Sequence, residues 1–258
     1  MIQVMILKSR SILSIVFFFV FSLSSCAQDV AQEAQDYIEG KHYISLTQDV
    51  KENDIIQNFR QEGQDKVQVV EFFSYGCSWC YKLDPFVSSW AHTAPLYVDF
   101  QRVPVEFQPS WRTLTKVYYL AQDLDVLEQI HQPLFKAIHT DELTDSSEDA
   151  LKAFFVKKGV SSEDFEKSFD SFSVNRKQKW ANALSQAYKI TSIPIILVQG
   201  PKGAYLTSVR MTGGEESLVK VVNYLVTKQQ DYLPQPSESQ HQKESKASNI
   251  NADSGSPI

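Results

Sequence analysis

Cysteine is scarce in this 258-residue chain, and positive charge is outnumbered by negative charge. Three cysteines are too few to hold a chain of this size together as a disulfide scaffold. The 25 Lys and Arg residues stand against 31 Asp and Glu residues, a formal charge of −6. Because binding to nucleic-acid phosphates needs clustered Lys and Arg, this balance argues against a nucleic-acid partner. The hydrophobic content of 43% is ample for the core of one large domain or two small ones.

An apolar run near the N-terminus is too short to cross a membrane. It occupies the twelve residues 12–23, whereas a spanning helix needs about 20. Lys8 and Arg10 precede the run, and no acidic residue occurs before Asp29. A basic segment followed by a short apolar one is typical of an export signal, which we predict in residues 1–25.

The end of this signal resembles the lipobox of bacterial lipoproteins. In Leu23-Ser24-Ser25-Cys26, small residues precede a cysteine that would be acylated and become the first residue of the mature protein. Cys26 is then a lipidation site, and the alternative is cleavage after Ala27, which would release the protein unanchored. The polar residues 26–40 predict a tether. Residues 231–258 have almost no apolar content and predict a disordered tail.

A strand, a turn and two cysteines form the most informative stretch. Val67–Phe73 is β-branched and aromatic with little alternation, as expected of a strand buried on both faces. Gly76 breaks the strand, and Cys77 would begin a helix with Cys80 one turn later. Unpaired N–H groups and the helix dipole lower the pKa of a thiol at that position from about 8.5 to roughly 3.5–7.5. A reactive thiol beside a second thiol predicts thiol–disulfide exchange.

Two other uses of a Cys-x-x-Cys pair compete with exchange. A zinc site needs two further ligands, but only one other cysteine exists and the five histidines form no closely spaced pair. A passive structural disulfide between Cys77 and Cys80 would close so short a loop that it would add little stability. We therefore predict no metal site.

The segment Glu71–Tyr81, with the sequence EFFSYGCSWCY, resembles the active-site segment of the DsbA family of periplasmic thiol–disulfide oxidoreductases. The resemblance extends to Pro133-Leu134-Phe135, Ser171-Phe172 and Ile193-Pro194, and covers roughly residues 40–228. It implies an α/β protein with a thioredoxin fold and an inserted α-helical domain. It also implies that no metal or organic cofactor is needed.

The resemblance implies a role for each matching residue. Cys77 would be the nucleophile and Cys80 the resolving thiol of a redox-active Cys77–Cys80 disulfide. Pro194 would follow a cis peptide bond, so that the backbone of Ile193 faces a bound peptide. Glu71 falls where the family keeps a buried acid beneath the resolving cysteine, although an outward-facing or tyrosine-bonded glutamate without a role is the alternative.

Arg102 falls where the family often has a lysine that pairs with the buried acid, and a plain surface position is the alternative. The residues between the cysteines depart from the family, because Ser78-Trp79 replaces Pro-His and the thiolate loses a stabilising histidine. We include Trp79 among the substrate contacts. The five histidines lie outside the motif and are interpreted as non-catalytic: His42, His92, His131, His139 and His241.

Periodicity and the resemblance together predict the domain organisation. The thioredoxin-like part comprises residues 41–110 and 188–230, and the helical insertion comprises residues 111–187. Strands are expected at residues 43–46, 97–105, 193–198 and 204–211, in addition to Val67–Phe73. Within the insertion, Ser146 is expected to begin the third helix.

The function that follows is exchange of disulfides in exported proteins that contain cysteine. A membrane redox partner of the DsbB kind would reoxidise the protein, and one of the DsbD kind would reduce it. The alternatives are a disulfide isomerase or reductase of the same fold, and a peptide-binding chaperone in which the thiols are secondary. The expected location is the periplasmic side of the bacterial envelope, with a lipid anchor on Cys26.

Overall fold

The structure is a computed structural model that describes residues 37–47, 52–63 and 65–230. The predicted export signal, Cys26 and the predicted tail lie outside these residues. Of the predicted tether, the structure describes residues 37–40, where the ring of Tyr37 lies 5.3 Å from that of Tyr224.

A five-stranded mixed sheet forms the centre of the described residues. In chain order its strands are β1 (Ile44–Ser45), β2 (Val67–Phe73), β3 (Val98–Pro104), β4 (Ile195–Gly200) and β5 (Gly203–Thr207). Their order across the sheet is β1-β5-β4-β2-β3. β2 runs parallel to β3 and antiparallel to β4, while β5 is antiparallel to both β4 and β1.

Helices lie between the strands and after the last one. They are α1 (Asp54–Glu62), α2 (Ser78–Thr93), α3 (Trp111–Asp123), α4 (Leu127–His139), α5 (Glu148–Lys157), α6 (Ser162–Phe169), α7 (Phe172–Ala187), α8 (Val209–Thr212) and α9 (Glu215–Gln230). The run α3–α7 separates β3 from β4, so five consecutive helices interrupt the order of the strands. This arrangement confirms the predicted thioredoxin fold with inserted helices, whereas the domain boundaries stay predictions.

β2 is buried on both faces because it separates two hydrophobic clusters. Val67 and Val69 pack with α2 and α9 on one face, and Val70 and Phe72 pack toward the inserted helices on the other. Every residue of β2 is buried, including Glu71. A charge in the centre of such a strand needs a partner, because an isolated buried carboxylate is costly.

One helix was missed, and two local predictions need correction. α1 was not predicted, because only Ile56 and Phe59 are buried in it and its apolar pattern is short. The third inserted helix is capped by Ser147 instead of Ser146, since the Ser147 hydroxyl accepts from the backbone N–H of Ala150. The strand expected at residues 204–211 ends at Thr207, and α8 follows it.

Candidate active site

The two cysteines lie where β2 gives way to α2. Cys77 is the N-cap of α2, and its Sγ accepts a hydrogen bond from the backbone N–H of Cys80 at 3.2 Å. A cap side chain satisfies one of the N–H groups that a helix leaves unpaired at its start. Here sulfur fills the place that a serine or aspartate oxygen usually takes. The predicted helix therefore begins one residue later, at Ser78, with Cys77 as its cap.

A glycine and a tryptophan shape the turn before the cysteines. The N–H of Gly76 donates to the Ser74 hydroxyl at 3.2 Å, and the N–H of Cys77 donates to the Ser74 carbonyl at 3.0 Å. A Cβ atom on Gly76 would lie 2.3 Å from Nε1 of Trp111. Glycine is needed here because the indole ring from α3 packs directly against the turn.

The two thiols differ in exposure and in acidity. The exposed fraction is 9% for Cys77 and 0% for Cys80. Hydrogen bonds from the Cys80 thiol and from the backbone N–H groups of Cys80 and Trp79 favour the Cys77 thiolate more than burial opposes it. They lower the pKa of Cys77 from 9.0 to about 7. Burial, the neighbouring Cys77 and the charge of Glu71 raise the pKa of Cys80 far above its ordinary value.

The predicted cis bond precedes Pro194 and lies opposite the cysteines. The Ile193–Pro194 peptide is cis, which confirms the sequence prediction. The carbonyl oxygen of Ile193 lies 3.9 Å from Sγ of Cys77. The structure thus brings together two segments that are 116 residues apart in the chain.

Glu71 is buried and paired with Arg102, which decides between the two positions that the sequence left open for Arg102. The two residues are neighbours in the β2–β3 register, and Nε of Arg102 donates to Oε2 of Glu71 at 2.8 Å. Burial raises the pKa of Glu71 to about 7, with Asp84 adding to the rise and Arg102 opposing it. Arg102 is therefore the partner of this acid and not a plain surface residue. Glu71 can hold or release a proton near neutral pH.

Sequence reasoning missed Asp84, which lies on the buried face of α2. Its Oδ1 accepts from Nη2 of Arg102 at 3.1 Å and from the Ser88 hydroxyl at 3.1 Å. Burial opposes the charge of Asp84, but hydrogen bonds from His131 and Ser88 and the positive charge of Arg102 outweigh it and lower its pKa. The available signal was its position seven residues after Cys77, on the apolar side of the predicted helix.

Sequence reasoning also missed that His131 and His139 contact this region. The ring of His131 is buried, with Nε2 2.9 Å from Oδ1 of Asp84 and Nδ1 2.8 Å from the Tyr75 hydroxyl. Nε2 of His139 lies 2.8 Å from the Tyr75 carbonyl oxygen, and its ring stacks on Tyr81 at 4.9 Å between centroids. Whether these histidines are non-catalytic is still a prediction. Both come from α4, so only the folded chain brings them to the motif.

Trp79 projects from the first turn of α2 into solvent. Its side chain is 58% exposed, and the Lys82 ammonium lies 4.4 Å from the ring centroid. Trp111 and Phe107 form an aromatic pair beside the turn, with ring centroids 6.3 Å apart. The two cysteines are thus flanked by aromatic surface, which suits contact with an apolar peptide.

Within residues 37–47, 52–63 and 65–230, no group of three or more His, Cys, Asp or Glu side chains is placed to hold a metal ion. Over the same part of the chain, no helix has both the length and the apolar character needed to cross a bilayer.

Comparison with known proteins identifies the family. The family model described as DSBA-like thioredoxin domain matches residues 68–225. The thiol:disulfide interchange protein DsbA of Pseudomonas aeruginosa is 30% identical over 200 residues, which cover 78% of this chain and 89% of that protein. DsbA of Bordetella pertussis is 34% identical over 162 residues, which cover 62% of this chain and 76% of that protein.

Solved structures agree with the sequence relatives. A crystal structure of Pseudomonas aeruginosa DsbA covers 76% of this chain and 96% of its own, with a TM-score of 0.66 and 28% identity. DsbA from Xylella fastidiosa, at 23% identity and a TM-score of 0.63, covers 76% of this chain and 98% of its own and supports the fold. The fold and the paired thiols define a thiol:disulfide oxidoreductase. The chain belongs to the DsbA-like thioredoxin family.

Proposed function

We propose that this protein exchanges disulfides with exported proteins through a mixed disulfide on Cys77. The observation that carries the proposal is the contrast between the two thiols. Cys77 is the helix cap, partly accessible and with a pKa lowered to about 7, whereas Cys80 is wholly buried with a raised pKa. The ionised, accessible sulfur is the one that attacks or is attacked.

In the oxidising direction, a substrate thiolate attacks Sγ of Cys77 in the Cys77–Cys80 disulfide. The bond between the two protein sulfurs breaks, and its electron pair stays on Cys80, which takes up a proton. A second substrate thiolate then attacks the substrate sulfur of the mixed disulfide, and Cys77 leaves as a thiolate. The substrate loses two electrons, the protein gains two, and the reverse sequence reduces a substrate disulfide.

Glu71 is proposed as the proton carrier for Cys80. A pKa of about 7 lets its carboxyl hold a proton and give it up near neutral pH. Its charge also acts on both cysteines, since it raises the pKa of each. When Cys80 becomes the leaving thiolate in a buried site, a nearby neutral acid relieves the cost of that charge.

Ile193, Pro194 and Trp79 are proposed as the substrate contacts. The Ile193 carbonyl lies beside Sγ of Cys77, so a peptide bound to that sulfur also meets the backbone before the cis bond. Trp79 offers an exposed aromatic ring in the first turn of the helix that Cys77 caps. The structure of a Proteus DsbA variant contains a non-covalently bound peptide with a cysteine, which supports a peptide as the occupant here.

Direct tests of the cysteine roles use reduced variants of the protein and a model peptide that carries a disulfide. In Cys80→Ser the Cys77 thiolate attacks this disulfide and one peptide sulfur leaves as a thiolate, so a mixed disulfide through Cys77 should accumulate because the resolving thiol is missing. Cys77→Ser should neither trap the peptide nor reduce it. Trapping on Cys80 in the Cys77→Ser variant, at the rate of the converse variant, would reverse the assignment. Full function of a Cys77→Ala, Cys80→Ala double variant in cells would favour the peptide-binding chaperone.

The direction of exchange depends on the reduction potential. Ser78-Trp79 brings no positive charge to the thiolate, so Cys77 is stabilised by the helix terminus and by Cys80. Equilibration of the purified pair with glutathione measures the potential. A value of about −120 mV indicates an oxidant served by a DsbB-like membrane partner. A value of about −270 mV indicates a reductant or isomerase served by a DsbD-like partner.

The proposed location is the periplasmic side of the envelope, with a lipid on Cys26. The twelve-residue apolar run that ends at this cysteine supports it. Cys26→Ser should abolish incorporation of a labelled fatty acid and release the protein from membranes. A wild-type protein that is already soluble and begins after Ala27 would refute the anchor.

A further inference from the structure

His131 is a buried titratable side chain that the proposed exchange does not use. It is 5% exposed, and both of its ring nitrogens have polar partners, Asp84 at 2.9 Å and the Tyr75 hydroxyl at 2.8 Å. A carboxylate can only accept, so Nε2 carries the hydrogen that is donated to Asp84. In the neutral ring Nδ1 then accepts from the Tyr75 hydroxyl. Burial, which lowers the pKa of His131, agrees with this neutral form.

Asp84, which accepts from His131, and Glu71 both accept hydrogen bonds from the guanidinium of Arg102. Arg102 donates from Nε to Glu71 at 2.8 Å and from Nη2 to Asp84 at 3.1 Å. Asp84 receives further hydrogen bonds from His131 and from the Ser88 hydroxyl. Each of these donors stabilises the Asp84 carboxylate, and the attraction between Asp84 and the Arg102 guanidinium is weaker as a result. How strongly Arg102 interacts with Glu71 therefore depends on His131, which hydrogen-bonds to Asp84.

We propose that His131 is a positioning residue, which by donating to Asp84 leaves the charge of Arg102 available to Glu71. The Tyr75 hydroxyl fixes the ring in the tautomer that donates. Without this donor, Asp84 draws the guanidinium toward itself, and Glu71 keeps its proton to higher pH. The inference deepens the proposed function, because it rests on Glu71 as the proton carrier for the buried thiol.

Several titratable groups act on Glu71, and the experiment has to separate them. They are Arg102 on β3, Asp84 and Cys80 on α2, Cys77 at its cap, Tyr75 in the turn and Tyr118 on α3. Burial raises the pKa of both tyrosines, so they stay neutral near neutral pH. Replacing both cysteines by serine removes their titration and any redox chemistry. Asp84 stays ionised and His131 stays neutral, because the pKa of each is lowered, so among these groups Glu71 is the one that changes charge near neutral pH.

The test is an infrared titration of the protonated Glu71 carboxyl in the Cys77→Ser, Cys80→Ser protein. Its C=O band is assigned by its loss in Glu71→Gln. An opposite charge close to a carboxyl lowers its pKa by about 1–3 units, so partial withdrawal of that charge in His131→Leu should raise the midpoint by about 0.5 pH unit or more. His131→Gln carries an amide NH2 group that can donate to Asp84 and a carbonyl oxygen that can accept from the Tyr75 hydroxyl, so it should leave the midpoint unchanged.

Two results would overturn the proposal: an unshifted midpoint in His131→Leu, or the same shift in His131→Leu and His131→Gln. Should His131→Leu not fold because the Tyr75 hydroxyl loses its acceptor, the same comparison is made between Tyr75→Phe and Tyr75→Phe, His131→Leu. The readout needs no thiol. Failure of exchange on Cys77 would therefore refute the proposed function and leave this titration as an independent result.

Discussion

Trp79 occupies the position between the cysteines where a positive charge would act on the Cys77 thiolate. The residue is 58% exposed, so it can be replaced without disturbing the core. Its present neighbours are a lysine ammonium above the ring and the first turn of α2. Trp79→His introduces an ionisable ring at this place, and Trp79→Phe introduces an aromatic ring without charge as the matched control.

The expected effect follows from the acidity of Cys77. Reduction leaves a thiolate on this residue, so a group that stabilises the anion stabilises the reduced protein and raises the reduction potential. A neighbouring opposite charge shifts a pKa by about 1–3 units, and solvent screening at this exposed position favours the low end. One unit is about 1.36 kcal/mol, or roughly 30 mV for a two-electron couple. Starting from about 7, the pKa of Cys77 should fall toward about 6 in Trp79→His.

Two measurements check this prediction on reduced protein. Thiolate absorbance against pH gives the pKa of Cys77, and equilibration with glutathione gives the potential. Both should move in Trp79→His and stay near the wild-type values in Trp79→Phe. A histidine variant whose potential is equal to or below that of the phenylalanine variant would refute the reasoning, and would mean that the helix terminus and Cys80 alone set the acidity.

Three further predictions concern the turn and the acid beneath it. Iodoacetamide at about pH 6 should alkylate reduced Cys77 well before Cys80, because the first thiol is partly ionised there and the second is buried; peptide mapping after a short pulse gives the order, and earlier labelling of Cys80 would contradict it. The pKa of Glu71 is raised from 4.5 to about 7, so the folded protein keeps a proton that the unfolded chain releases, and this contribution to stability is lost as the pH rises through that window. The free energy of unfolding of Glu71→Gln, measured with urea, should therefore rise relative to that of the wild-type protein by on the order of 3 kcal/mol between about pH 4 and pH 8. A difference in free energy of unfolding that does not vary with pH would contradict the raised pKa of Glu71. Gly76→Ala places a Cβ 2.3 Å from the indole nitrogen that covers it and should lower the free energy of unfolding by about 1–3 kcal/mol; Gly214→Ala, with nothing within 4 Å, is the control, and equal stabilities would argue against close packing at the turn.

Local chemistry made part of this protein predictable. A run of β-branched and aromatic residues without alternation predicted that β2 is a strand buried on both faces, and the structure confirms this prediction. Ser161 caps α6 through its hydroxyl, and Gly159 follows α5 with a positive φ that the absence of a side chain permits, so both helix ends rest on local chemistry. These signals depend on neighbours in sequence, which is why short-range reasoning could find them.

The resemblance supplied what short-range signals could not. Nothing in Ile193-Pro194 itself requires a cis bond, since most X–Pro bonds are trans. Arg102 likewise carries no local sign of burial, and only the pairing of β2 with β3 places its guanidinium beside Glu71.

Cys77 and Cys80 are recognisable in the sequence as a thiol pair at a helix N-terminus, because the pattern that creates this terminus lies within a few residues of them. The groups beneath the pair are set by packing between segments that are distant in the chain. Asp84, Arg102 and His131 come from α2, β3 and α4, and they meet because the sheet and the inserted helices close over one buried space. Buried ionisable side chains are either paired with an opposite charge or a hydrogen-bonding group, or they are neutral. Packing between distant segments sets which groups are paired.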